Sequence, residues 1–295
     1  MIAPSPFRSA VMKETIPVFY DARQVSQPTS FSPSAAKPRK VVERWQAMSF
    51  PISLVAPQPL TEAQLRLAHD ADYVRGILDC RAVNGFGGKD PAVAASLLWT
   101  TGSMLSAARC ALASGRVAVS PTSGFHHAGH NWGGGFCTFN GLMTTVLSLV
   151  ASGEVRKVAI LDCDEHFGDG TEDIIKALGV RNLVRHVTTG LCYSRDPDAF
   201  LATLPSIIAE FLDCDLILYQ AGADPHVDDP LGGWLTTDQL FERDRRVFGC
   251  ARRYGIPIAW NLAGGYQDPF HEVLRIHDNT LRACAIAFLG EDSWR

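Results

Sequence analysis

Residues 157–170 read KVAILDCDEHFGDG: a short apolar run of Val, Ala, Ile and Leu that stops in a loop of carboxylates, glycines and one histidine. A run of that length suits a strand buried on both faces, and the helical segment from Thr171 suits the crossover that a parallel neighbour requires. The same unit recurs on either side. Upstream lie IPVFY (16–20), a helix near 40–48, ISLVAP (52–57), a helix near 62–79, a helix over 91–114, VAVS (117–120) and a helix over 141–152. Downstream come NLVRHV (182–187), a helix near 198–212, DLILYQ (215–220), a helix over 237–254, PIAWNLA (257–263) and a closing helix near 269–288. Such alternation predicts an α/β fold: a mostly parallel sheet covered by helices on both faces, hence three layers. No linker or internal repeat divides it. A tail over 1–15 is therefore expected to precede a single domain over 16–295.

The composition fits this picture and narrows the function. Of 295 residues, 46% are hydrophobic and 20% charged, enough apolar material for one large core. The formal net charge is −4, and no Lys/Arg cluster stands out. That argues against gripping nucleic acid directly. No apolar run has the length of a signal peptide or a membrane span, so no membrane partner and a cytoplasmic location are expected. The eight cysteines are scattered without a CxxC pair and read as reduced thiols.

Strand ends are more informative than strands. VAVS runs into SGFHHAGH (123–130), KVAILD into CDEHFGDG, DLILYQ into AGADPHVDDPLGG (221–233), and PIAWNLA into GGYQ. In open parallel sheets ligands collect beyond the carboxyl ends of the strands. Five of the nine histidines (His126, His127, His130, His166, His226) fall in these loops. Asp164 and His166, two apart after one strand, and Asp224 after another, offer two carboxylates and an imidazole. That donor set suits zinc with positions left open for water and substrate. Such an ion polarises a carbonyl and makes water nucleophilic near neutral pH, which is what amide hydrolysis needs. His126 and His127 offer acid–base groups, Asp162 and Asp169 can orient them, and Tyr266 after two glycines can donate to a developing oxyanion. His130 and His226 are as well explained by ordinary loop hydrogen bonds, and His186, His271 and His277 read as structural.

Taken in order, GFHHA and GGGFCTFN (124–140), DCDEHFGDG (162–170), AGADPHVDDPLGG and AGGY (263–266) resemble the histone deacetylase family of the arginase/deacetylase superfamily. The resemblance spans roughly residues 16–289, and AHDADYVRGIL (68–78) is similar to the family's early helix, with His69 and Tyr73 in its His and Tyr places. It implies a sheet of about eight strands and zinc on Asp164, His166 and Asp224. His126 and His127 would be the tandem histidines, oriented by Asp162 and Asp169 respectively, with Tyr266 as the oxyanion donor. It further implies a structural K+ near Asp162, and a narrow acyl-lysine tunnel lined by Gly135 and Phe136 with Leu231 near its mouth. The expected substrate is an acyl-lysine protein or a small acylated amine such as an acetylated polyamine; a non-catalytic acyl-group binder is the competing class. Details such as GFHHA and GGYQ look most like the class IV branch, some members of which remove long fatty acyl groups. Phe167 departs from the family's second histidine after the ligand position, which bears on packing and substrate preference. The segment around 25–45 departs as well and is expected to shape the entrance.

Overall fold

The computed structural model describes residues 14–189 and 195–290. Seven strands form one all-parallel sheet: β1 (Ile16–Phe19), β2 (Ile52–Val55), β3 (Val117–Ser120), β4 (Val158–Asp162), β5 (Val184–Thr188), β6 (Leu216–Gly222) and β7 (Ile258–Ala263). Their order is β2-β1-β3-β7-β6-β4-β5. Each of the seven apolar runs read from the sequence is one of these strands. The family-based expectation of about eight is met by seven among the described residues.

Alternation within the strands splits the core in two. Ala159 and Leu161 of β4, with Ile217 and Tyr219 of β6, face one side, packing with α1 (Lys37–Ala47), α7 (Pro197–Ala209), α8 (Thr237–Tyr254) and α9 (His271–Leu289). Val158, Ile160, Leu216 and Leu218 face the other, with α3 (Ala71–Leu78), α4 (Pro91–Ser114), α5 (Gly141–Ala151) and α6 (Asp169–Leu178). A strand buried on both faces cannot alternate with polar residues, which is why these runs are continuous. Each fully buried aliphatic side chain contributes about 1.5–3 kcal/mol relative to exposure.

The helix expected over 62–79 is broken, and this corrects the sequence reading. A short α2 (Glu62–Leu65), capped by Thr61, stops, and α3 starts afresh at Ala71. Asp70 accepts hydrogen bonds from the amides of Asp72 and Tyr73, a capping arrangement that favours a new helix over a continued one. The turn between them lets His69 reach inward. Its Nδ1 donates to the Gly129 carbonyl (2.8 Å), and its Nε2 accepts the Asn140 amide (2.8 Å). Burial lowers this imidazole to about 4, so it stays neutral and braces the histidine and glycine loops.

β3, β7, β6 and β4 are consecutive neighbours in the sheet. The polar loops that follow them therefore open onto one edge. Seven described cysteines are free thiols; Cys192 lies outside the described residues. Among the described residues, no helix is long and apolar enough to cross a membrane.

Candidate active site

At that edge Asp164, His166 and Asp224 converge. The carboxylates are buried, and His166 Nδ1 lies 3.1 Å from both Asp164 Oδ1 and Asp224 Oδ2. One donor atom from each residue falls within 4.8 Å of the other two. Ligands about 2.0–2.2 Å from a common ion lie at most about 4.4 Å apart, and the two 3.1 Å separations from His166 Nδ1 fall inside that limit, so these oxygen and nitrogen donors fit a zinc-sized cation. The main chain fixes the trio: the His166 amide donates to Asp164 Oδ1 (3.0 Å) and the Glu165 amide to Asp224 Oδ1 (3.2 Å). Hydrogen bonds from its ring to the two carboxylates hold His166 up to about 11.

The tandem histidines sit beside it, with ring centroids 4.0 Å apart. His126 Nδ1 meets the fully buried Asp162 Oδ2 at 2.8 Å, and His127 Nδ1 meets Asp169 Oδ1 at 2.6 Å. Their charge states diverge. Burial opposes protonation of His126, but the Asp162 and Asp164 carboxylates outweigh it and hold the ring up to about 9. Burial, then the charge on His126, pushes His127 down. Both Asp162 carboxylate oxygens are engaged, Oδ2 by His126 and Oδ1 by Gln220 Nε2 (2.9 Å) and the Asp164 amide (3.2 Å).

Tyr266 is carried by a loop that only glycine can build. Gly264 and Gly265 have φ of +32° and +93°, and a Cβ on Gly264 would sit 2.0 Å from the Asp224 carboxylate carbon. The Tyr266 amide donates to Asp229 Oδ2 (2.7 Å), whose other oxygen accepts the Leu231 amide (3.0 Å). Burial, then the Asp224 and Asp164 charges, pushes the phenol far above its usual range, so it remains a hydrogen-bond donor at neutral pH. Gly264→Ala is expected to displace Asp224 and weaken divalent-metal affinity about 10- to 100-fold, as losses beside a ligand do. Competition against a chromogenic chelator measures this, and unchanged affinity would contradict the placement of the loop.

Gly135 and Phe136 form a left-handed pair, with φ of +52° and +64°. A Cβ on Gly135 would lie 2.5 Å from the His127 ring, so the chain passes against the histidine there. Phe136 lies 5.7 Å, ring to ring, from Tyr266. Leu231 is 39% exposed on the loop braced by Asp229. His130 and His226 make ordinary hydrogen bonds, to the Ala68 carbonyl and to Thr237 and Gln267.

The sequence reading missed three residues. Asp229, just described, is one. Lys37 is fully buried, and its Nζ donates to the Gly264 carbonyl and, at 3.3 Å, to that of Ala263, holding the tyrosine loop from below. Burial lowers it to about 8, while Asp224, Asp164 and Asp229 pull the other way. In KPRK it reads as a surface residue, and only the long-range contact reveals it. Phe31, in the Ser/Pro segment, packs its ring 5.1 Å from that of Phe136.

Comparison with known proteins agrees with this architecture. The histone deacetylase domain family matches residues 33–194 and 186–283. An uncharacterized protein of Picosynechococcus sp. is 30% identical over 79% of this chain and 85% of its own. The acetylpolyamine amidohydrolase of Mycoplana ramosa is 29% identical over about half of each chain (49% and 50%). Among solved structures, the HDA15 HD domain superposes with a TM-score of 0.73 at 19% identity, covering 95% of this chain and 90% of that one, a likeness of fold. With the family match running through most of the chain, this protein belongs to the histone deacetylase family.

Proposed function

We propose that the domain over residues 16–295 hydrolyses the amide bond of an acylated, lysine-like amine, using one zinc ion held by Asp164, His166 and Asp224. The observation that carries this reading is the meeting, at one sheet edge, of that trio with two His–Asp pairs and a protonated tyrosine. When bound, zinc would supply Lewis acidity toward the acyl carbonyl and toward water. The protein's own groups do the rest. Asp169 accepts the Nδ1 proton of His127 and leaves Nε2 free to take a proton from the attacking water. The Tyr266 hydroxyl donates to the carbonyl oxygen as negative charge builds on it. His127, or His126 on its buried Asp162, then protonates the leaving nitrogen, releasing acid and free amine.

The recess beside Phe136, walled by Ala35, Leu97, Phe125 and Phe139 among others, has a volume of about 30 Å³, room for a water or two and not for a long acyl chain. The kinship with an acetylpolyamine amidohydrolase favours a second reading, in which the amine is a small molecule. One experiment addresses both. The purified protein is offered acetyl- to myristoyl-lysine peptides and acetylpolyamines, with zinc and with chelator. Turnover that chelator removes and zinc restores is expected, greatest on acyl-lysine peptides. Greater turnover of the polyamines would select the second reading, and no metal-dependent turnover of any substrate would refute hydrolysis.

A further inference from the structure

The paired register of β4 and β6 stops just short of the two carboxylates. It ends at Asp162 and Gln220, closed by a bond from the Cys163 amide to the Gln220 carbonyl (3.0 Å). The carbonyls next in line, those of Cys163 and Gly222, are taken by one side chain: Arg243 Nη1, from α8, donates to both, at 3.1 and 2.8 Å. Asp164 follows the first of these residues directly, and Asp224 lies two beyond the second. The guanidinium is fully buried and keeps its charge there, with Asp244 as counterion through its Nε (2.9 Å). Asp244 is itself fixed by the Thr280 hydroxyl (2.7 Å) and that of Tyr219.

Backbone contact at this point is close. A Cβ on Gly222 would sit 2.6 Å from Asp164 Cα and 2.9 Å from Asp224 Oδ1, so a glycine is what lets the strand ends meet. The two buried carboxylates that they deliver repel each other wherever no cation lies between them. Something must hold their chains together against that push. A rigid fork with two carbonyls on one nitrogen can do so, where a flexible ammonium could not fix both. We infer that Arg243 is a positioning residue of the metal site: by clasping β4 and β6 just before the two carboxylate ligands, it presets the gap between Asp164 and Asp224 ahead of the ion. This rests on the hydrolytic reading above for the ion and its ligands, and adds to it a residue that touches neither.

The test is zinc affinity, read by competition with a chromogenic chelator well below every melting point. Three variants of the full chain are compared with the wild type. Arg243→Met joined to Asp244→Asn removes the clasp without leaving a lone buried charge, and Arg243→Lys keeps the charge without the fork. Phe211→Leu opens a cavity just before β6 begins, at the other edge of the sheet, and serves as a destabilised control. The double variant should bind zinc about 10- to 100-fold more weakly, as losses behind a ligand do, with Arg243→Lys between it and the wild type. The rise in melting temperature that zinc produces should shrink in the same order. Phe211→Leu should melt earlier yet bind zinc as the wild type does. Should the double variant fail to fold, Arg243→Lys against Phe211→Leu decides the matter. Wild-type affinity in the folded Arg243 variants would overturn the proposal, as would an equal loss in Phe211→Leu. A wild type that takes up no zinc would instead sink the reading of Asp164, His166 and Asp224 as ligands.

Discussion

Tyr266→Phe is expected to keep its fold and its metal while losing about 100- to 1000-fold in kcat, the usual cost of removing one oxyanion donor. The substitution takes away one hydroxyl and leaves the ring that packs on Phe136 and Phe31. The backbone of the residue is unaffected, because its amide is held by Asp229 and its loop by Lys37. Substrate affinity should accordingly change little, and the loss should fall on kcat. The hydroxyl is also set apart by its charge state: burial and two neighbouring carboxylates keep it protonated, so the loss should be the same across the neutral pH range. Circular dichroism and metal analysis check the first half of this expectation and steady-state kinetics the second. Full activity in the variant would remove Tyr266 from the mechanism.

How much of this was legible in the sequence depends on the range of the interactions. The strands and most helix limits were legible, because continuous apolar runs mark doubly buried strands. Local caps mark helix ends, as Asp90 does before α4 and Gly255 after α8. The break at Asp70 was not read, since the helical period of 62–79 continues through it and the cap is formed only when His69 turns inward. In the site, residues adjoining a strand end were legible because the topology delivers them to one edge. Lys37 was not: its partner carbonyl on Gly264 is 227 residues away, and nothing local distinguishes it from the lysines and arginines around it. Phe31 was hidden for the same reason, in a Ser/Pro stretch whose course is set by Ser96, Phe136 and Tyr266. From sequence this segment could only be expected to shape the entrance; that its phenylalanine reaches Phe136 and Tyr266 could not be read.

Asp164→Ala should have the larger effect, abolishing measurable turnover together with the metal. Asp164 is buried, and its Oδ1 accepts both the amide and the ring nitrogen of His166. Its loss removes one ligand and frees a second from its orientation, leaving Asp224 as the only carboxylate of the trio. The fold should survive, because the substitution also removes one of two closely placed buried charges and leaves the strand core of β4 untouched. A far-ultraviolet spectrum and a melting curve identify any variant that does not fold. Since every chemical role assigned above presumes an ion at the meeting point of Asp164, His166 and Asp224, elemental analysis of purified wild type beside folded Asp164→Ala tests the account most directly. About one zinc per chain in the first and almost none in the second is the predicted result; equal zinc in both, or a fully active wild type without metal, would contradict it.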